Sequence, residues 1–320
     1  MNIQYYKSSG KVSEFFIPYF ILLVALSVPI LSIAYIYLIY YIPIIYFNVL
    51  ITIGSGYVFG GLIAHTVRFG KARNPLLVHI LTAVAICLFK YIQWCVYIPL
   101  VVSEAYGFSM TFAERFSESV YYLIRPGEVY EAMRIINEYG VWSFSKTGTV
   151  ITGVVLLGIW IAEFAIIAAS AFSAVRNLIL MPYSEASDGW YVDMADSVET
   201  DMPEYFESLR RDLENGNYIE LIKLAEAPRS NPAKSMRVTF CKPPQGAEGE
   251  PHYMSISQVV MKKGKANTKS LLKYLSIDPH SIDLIVNGEE PGEDIDFNET
   301  FDDEADGVYE DDSNDVNTAE

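Results

Sequence analysis

The stretch that decides the fold runs from Phe15 to Val67 and reads FFIPYFILLVALSVPILSIAYIYLIYYIPIIYFNVLITIGSGYVFGGLIAHTV. Its 53 residues contain no Asp, Glu, Lys or Arg. As a helix it would measure about 80 Å, whereas the hydrocarbon core of a bilayer is about 30 Å thick. One crossing cannot use this length. The stretch therefore predicts two spans that fold back at Tyr41-Ile42-Pro43, because proline disfavours helix in the residue before it.

Charge is divided unequally between the two parts of the chain. Residues 1–176 hold 11 basic and 8 acidic side chains, whereas residues 177–320 hold 12 basic and 31 acidic ones. The chain is 51% hydrophobic, and the longest apolar stretches all lie in the first part. This division excludes a single soluble globular enzyme and a uniformly disordered protein. It indicates a membrane protein with an acidic soluble part.

Two further apolar stretches complete a predicted α-helical membrane protein, with a four-helix transmembrane bundle in residues 1–176. We expect its spans at about 15–41, 44–66, 75–101 and 148–175. The outer loop 102–147 has apolar residues about every four positions, which predicts amphipathic helices that pack on the bundle or form a lid. Beyond the bundle we expect a small cytoplasmic α+β domain over 177–288 and a disordered acidic C-terminus over 289–320.

The basic residues that flank the predicted spans set the expected orientation. Lys7, Lys11, the loop from Arg68 to Arg73 and Arg176 all fall on one side of the bundle. Because Lys and Arg are enriched in cytoplasmic flanks, we expect both termini in the cytoplasm. The chain is then a multi-pass protein of a cell membrane, of the bacterial inner-membrane type, with the lipid bilayer as its first partner.

Two ionisable residues lie within the predicted spans. Lys90 follows Arg73 by 17 residues and Glu163 precedes Arg176 by 13, so both lie about 20 to 25 Å from the same edge. An unpaired charge at that depth costs about 3 kcal/mol, and pairing relieves both charges at once. We therefore expect an ion pair between Lys90 and Glu163. It serves either to fix helix packing or as one step of a proton or ion relay.

Polar and small residues extend this candidate site. The predicted polar seam consists of Asn48, Thr52, Ser55 and Gln93. Gly56 and Gly60 on the second span form a small-xxx-small face, which lets two helices approach closely in lipid. This face predicts packing inside the bundle or, alternatively, contact with a second copy or with another membrane protein.

The soluble part alternates helical and strand patterns. Two amphipathic helical patterns come first, separated by Asn215-Gly216-Asn217. Alternating residues over 236–240 and 253–261 then predict a β-hairpin. A short helix over 268–275 and a third strand over 282–286 complete the expected domain.

The predicted hairpin is basic, whereas the C-terminus is acidic. The basic patch consists of Arg237, Lys242, Lys262, Lys263 and Lys265. Residues 289–320 hold 15 acids and no base. They form either a solvated tail or a cover over this patch that competes with an anionic partner such as lipid headgroups or nucleic acid. No specific nucleic-acid recognition is predicted.

Familiar enzyme motifs do not occur in the sequence. There is no glycine-rich phosphate loop, HExxH pair or nucleophile elbow. The three cysteines indicate neither a disulfide nor a zinc site, so we expect no metal or cofactor. The sequence favours a non-enzymatic integral membrane protein that anchors a cytoplasmic interaction, sensing or assembly module. The alternative is a small oligomeric ion channel or transporter that uses the intramembrane Lys90–Glu163 pair.

Overall fold

The secondary-structure elements that the structure describes in the first part of the chain are α-helices. The computed structural model describes residues 3–42, 44–140, 150–230, 234–247, 249–262 and 265–288. The helices of this part are α1 (Phe16–Tyr41), α2 (Ile45–Phe69), α3 (Pro75–Ala105), α4 (Phe112–Leu123), α5 (Pro126–Tyr139) and α6 (Gly153–Ile179). Residues 141–149, where the fourth predicted span begins, lie outside the described residues.

Four of these helices, α1, α2, α3 and α6, are long and apolar enough to cross a membrane. Only 22–28% of the most apolar window of each is buried inside the protein. Large apolar side chains such as Ile30, Leu50 and Val154 point outward, where water would be a poor solvent for them. The four helices are therefore compatible with a multi-pass membrane protein.

The helices α2, α3 and α6 extend three or four residues beyond the predicted ends of their spans. Apolar composition marks where a chain leaves the hydrocarbon, but a helix continues until its terminal backbone groups find other partners. At the start of α3 the Asn74 side chain provides such a partner, because its Oδ1 accepts a hydrogen bond of 3.0 Å from the Leu77 amide.

The long helices share one core. Four buried residues of α1 that belong to this core are spaced four positions apart. They are Phe16, Phe20, Val24 and Val28. The contact between α2 and α6 is closer still. A Cβ atom at Gly60 would lie 2.5 Å from the Ala171 carbonyl oxygen, and one at Gly56 would lie 2.7 Å from that of Ile167. The small-xxx-small face thus lies against α6 of the same chain.

The two shorter helices, α4 and α5, pack on the bundle. A capping box between Thr111 and Glu114 begins α4. The Tyr91 hydroxyl of α3 donates hydrogen bonds to the carbonyls of Tyr122 and Leu123 at the end of α4. The buried residues Val129 and Ile136 of α5 pack with Trp94 and Ile98 of α3 in a second apolar cluster.

The second part of the chain forms an antiparallel sheet with helices. Its elements are β1 (Tyr183–Ser184), β2 (Gly189–Trp190), β3 (Val192–Asp201), α7 (Phe206–Glu214), α8 (Ile219–Glu226), β4 (Lys234–Lys242), β5 (His252–Lys262), β6 (Lys265–Ile277) and α9 (Pro279–Asn287). The sheet has the order β3-β4-β5-β6, and β1 and β2 form a separate small hairpin. Leu209, Leu221 and Ile282 of the three helices share a core with the sheet. We call residues 183–288 the soluble module.

Two predictions for the module are wrong. The chain over 268–275 is part of strand β6 and not a helix, because Thr268 and Leu272 pair with Val259 and Ile256 of β5. Helix α9 occupies 282–286, where a strand was expected. The Asp278 side chain accepts a hydrogen bond of 2.9 Å from the Ser281 amide, and Pro279 occupies the first position, so a helix starts here.

Candidate functional site

The two charged residues predicted to lie within the spans are side by side. Lys90 Nζ on α3 is 2.8 Å from Glu163 Oε1 on α6, and their side chains are 16% and 24% exposed. The Lys90 ammonium also lies 6.0 Å from the centre of the Trp94 ring. The bond is short and charge-assisted, so each side chain offsets the desolvation of the other.

A tyrosine that the sequence reasoning missed completes this contact. The Tyr35 hydroxyl on α1 donates a hydrogen bond of 2.5 Å to Glu163 Oε1 and lies 3.1 Å from Thr52 Oγ1 on α2. Tyr35 is 2% exposed. Its signal in the sequence was weak, because the first span contains several tyrosines and nothing in their spacing singles out this one.

Each of the four long helices contributes one residue to this group. We call Tyr35 of α1, Thr52 of α2, Lys90 of α3 and Glu163 of α6 the polar cluster. Thr52 Oγ1 also donates a hydrogen bond of 2.7 Å to the Asn48 carbonyl, which connects the cluster to the backbone of α2. A set of this kind can fix the rotation of all four helices about their axes, because rotation of any one helix would break a hydrogen bond of the cluster.

The other residues of the predicted polar seam are bonded differently. Ser55 donates its hydrogen bond to the Thr52 carbonyl within its own helix. Asn48 Oδ1 and both polar side-chain atoms of Gln93 are buried without a hydrogen-bond partner among the described residues. Buried polar groups are normally hydrogen-bonded, so these atoms remain able to form hydrogen bonds in the interior of the bundle.

The N-terminal segment connects the bundle to the soluble module. Its residues run along the edge of β6, where the Ser276 amide donates to the Gln4 carbonyl at 2.9 Å and the Tyr6 amide donates to the Tyr274 carbonyl at 2.8 Å. The Tyr5 hydroxyl donates to Glu214 Oε1 at 2.6 Å. The segment that precedes α1 therefore acts as an additional edge of the module's sheet.

The turn between α2 and α3 makes a second connection, to the β1–β2 hairpin. Arg73 Nε lies 3.1 Å from Glu185 Oε1 in an ion pair, and its guanidinium lies 4.3 Å from the centre of the Tyr183 ring. Arg73 is only 8% exposed. The Trp190 indole donates a hydrogen bond of 3.0 Å to the Arg68 carbonyl. The Tyr183 ring and the Glu185 carboxylate thus hold the Arg73 guanidinium. The sequence had used Arg73 only to predict the orientation of the bundle.

A further ion pair closes this contact. Lys71 pairs with Asp188 in the turn of the hairpin. Hydrogen bonds from the Lys71 ammonium and the Tyr183 hydroxyl hold the pKa of the Asp188 carboxyl below its ordinary value. We call the contacts of the N-terminal segment and of the α2–α3 turn with the module the junction.

The predicted basic patch is partly engaged. Arg237 pairs with Glu199 on β3, and Arg229 Nη1 lies 2.6 Å from the other oxygen of the same carboxylate. Lys242 is exposed, and the backbones of Lys262 and Lys265 pair at the end of the β5–β6 hairpin. Lys263 and residues 289–320 lie outside the described residues, as does any cover of the patch by the tail.

Comparison with known proteins supplies no relative. No family model, curated protein or solved structure matches the chain. Within the described residues no group of three or more His, Cys, Asp or Glu could hold a metal ion. The polar cluster and the junction are therefore the features of the described residues that bear on function.

Proposed function

We propose that this protein is a non-enzymatic integral membrane protein whose four-helix bundle holds a soluble interaction, sensing or assembly module in a fixed position at the membrane surface. The observation that carries the proposal is the junction. A module that was merely tethered would need only the chain that follows α6. Here Gln4 and Tyr6 of the N-terminal segment and Arg68 and Arg73 of the α2–α3 turn add contacts from two other parts of the chain.

The junction supports an even number of membrane crossings. The N-terminal segment, the α2–α3 turn and the module contact one another, so all three lie on one side of the four helices. The basic residues of these segments support a cytoplasmic location of that side under the positive-inside rule. Both termini of the bundle would then face the compartment in which the module works.

A fixed junction also couples the position of the module to the bundle. A partner that tilts the module changes contacts at Arg73 and Lys71, and the α2–α3 turn that carries them belongs to the bundle. Coupling of this kind is reciprocal, because a change in the bundle alters the affinity for the partner by the same factor. This is the physical basis for sensing or assembly.

The module exposes apolar residues to which a partner can bind. Tyr205, just before α7, is 71% exposed, and Ile219, at the start of α8, is 59% exposed. Exposed aromatic and aliphatic residues of this kind are frequent anchors in protein interfaces. Thr239 on β4 is also exposed but small and polar, so it provides a matched control position.

Photocrosslinking in native membranes tests the proposal. A benzophenone side chain at position 205 or 219 of the full chain is expected to give the same discrete protein adduct, and the same probe at position 239 is expected to give none. Lipid adducts alone from all three positions would contradict an interaction module. The full chain is required because residues 3–6 complete the sheet.

The second candidate is a small oligomeric ion channel or transporter. The unpartnered amide atoms of Asn48 and Gln93 favour it, because a permeating ion needs such ligands near the Lys90–Glu163 pair. Ion flux in reconstituted vesicles separates the two candidates. Flux that Glu163→Gln abolishes supports a channel, whereas vesicles without flux together with the crosslinked partner support the anchored module.

A further inference from the structure

A cavity of about 520 Å³ lies where the bundle meets the soluble module. One wall comes from the ends of α2 and α6, with Ala64 and Ala174 among its residues. The opposite wall comes from the sheet, with Asp193 of β3 and Tyr274 of β6. The cavity is open to the outside, so a ligand can enter it without a change of the fold.

The cavity lies beside the contact between α2 and α6. At Gly60 the two helices are in backbone contact, whereas a Cβ at Gly61, on the adjacent face of α2, would have no atom within 4 Å. The small side chains of Ala64 and Ala174 keep the next turn open, and Leu178 makes that end of the wall apolar. This part of the cavity is suited to hydrocarbon and offers little to a fully hydrated ligand.

An arginine lines the cavity, and two further cations lie close to its lining residues along the chain. Arg68 lines it and is exposed, whereas Arg176 stands between the lining residues Ala174 and Leu178 in the sequence and is exposed, but does not itself line the cavity. Lys273 adjoins the lining residue Tyr274 and lies near Arg176, and burial together with this neighbouring charge lowers the pKa of the Lys273 ammonium. No described carboxylate forms an ion pair with any of these three cations, although Asp193 lines the same cavity.

We propose that this cavity binds the phosphate headgroup of an anionic phospholipid, with an acyl chain in the groove between α2 and α6. Arg68 provides the charge-assisted contact that the phosphate needs, and Lys273 and Arg176 add positive charge to its surroundings. The proposal rests on the proposed membrane-anchoring function, because only a bundle in lipid brings the ends of α2 and α6 to the headgroup layer.

A bound lipid at this position would contact both parts of the protein. It would contact α2 and α6 through its chain and β3 and β6 through its headgroup. The lipid composition of the membrane would thereby stabilise the position of the module relative to the bundle. A free phosphate compound could meet the same cations but would leave the apolar groove unfilled, so the two ligands can be distinguished.

The test is a lipid titration of the full chain in phosphatidylcholine nanodiscs, read as the rise in the melting temperature. Dioctanoyl phosphatidic acid is compared with dioctanoyl phosphatidylcholine and with inorganic phosphate. The variants are Arg68→Gln, which removes one cation, and Gly61→Leu, which fills the groove without a change of charge. Arg211→Gln on α7 is the matched control, because it removes an exposed charge elsewhere on the module.

Phosphatidic acid is expected to raise the melting temperature of the wild type and of Arg211→Gln with the same half-saturating concentration. Arg68→Gln and Gly61→Leu should each raise that concentration about tenfold, as expected for loss of one charge-assisted contact or of the chain site. An unchanged response in both variants, an equal response to phosphatidylcholine, or an equal response to inorganic phosphate would overturn the proposal. Labelling of the membrane sides tests the anchoring function separately.

Discussion

At the scale of single residues, Glu163 is the residue that joins the polar cluster. One of its oxygens accepts hydrogen bonds from Lys90 at 2.8 Å and from Tyr35 at 2.5 Å. The sequence predicted the two charged residues because their depths match and an unpaired charge in lipid is costly. It could not predict Tyr35, because the rotation of α1 depends on the packing of all four helices.

Removal of one charge should cost more than removal of both. Lys90→Met leaves the Glu163 carboxylate buried beside Tyr35 and should lower the free energy of unfolding by about 3–5 kcal/mol. Lys90→Met combined with Glu163→Leu should recover most of that loss. A double-mutant cycle, measured by unfolding in mixed micelles, checks this. Additive effects of the two changes would contradict direct pairing.

The Tyr35 hydroxyl should matter only when Glu163 is present. Tyr35→Phe removes a hydrogen bond to a charged group and should lower the free energy of unfolding by about 1.5–3 kcal/mol. In a Glu163→Leu background the same change should cost much less. The matched control is Tyr19→Phe, since Tyr19 is on the same helix but outside the polar cluster and its ring contacts His65 and Phe69. Equal losses at positions 35 and 19 would contradict a specific role of Tyr35.

At the scale of elements, local pattern and long-range pairing disagree in the soluble module. The spacing of Leu271, Leu272 and Leu275 is typical of a helix. These residues nevertheless lie in β6, because this segment forms backbone hydrogen bonds with the free edge of β5. Strand β3 was not predicted at all, since it is acidic and lies at the edge of the sheet with few apolar residues. The four long apolar helices were predicted from the sequence, because their hydrophobic length alone indicates them.

The α2–α6 contact is tight enough to be tested with a single methyl group. Gly60→Ala places its Cβ against the Ala171 backbone and should lower the free energy of unfolding by about 1–3 kcal/mol. Gly54→Ala, on the same helix, meets no atom within 4 Å and should be neutral or slightly stabilising. Chemical unfolding of both variants in the same micelles checks this. A neutral Gly60→Ala would contradict the close approach of the helices.

The contact between β3 and β4 should weaken in acid. The Arg237 guanidinium holds the pKa of the Glu199 carboxyl below its ordinary value. A depressed folded-state pKa gives stability that is complete above the unfolded-state value and is lost as the pH falls through the folded-state value. The wild type should therefore melt above Glu199→Gln near pH 7, and the difference should vanish near pH 3. A difference independent of pH would contradict this ion pair.

At the scale of the whole molecule, the junction connects the bundle to the module. The sequence predicted both parts and the side on which they meet, but not the contacts. These join residues nearly the whole chain apart, such as Gln4 and Ser276, and no local pattern encodes them. Arg73 illustrates the same limit, since a basic loop residue predicts orientation but not burial against Tyr183.

Deletion of residues 2–7 should loosen one edge of the sheet. The Ser276 amide loses its acceptor at Gln4, so hydrogen exchange of a peptide covering 272–278 should accelerate. A peptide covering 236–240 of the central strand β4 should keep its protection and is the internal control. Unchanged exchange over 272–278 would contradict the role of the N-terminal segment as an edge of the sheet.

The central claim is that the N-terminus and the module lie on the same side of a bundle that crosses the membrane four times. The direct measurement is labelling of single cysteines with a membrane-impermeant maleimide, in right-side-out and inside-out vesicles of a chain that lacks Cys87. The exposed positions are 7 in the N-terminal segment, 207 in the module and 117 in α4. Lys7→Cys and Glu207→Cys are expected to react from the cytoplasmic side and Ser117→Cys only from the other side. Reaction of Lys7→Cys and Glu207→Cys from opposite sides would contradict it.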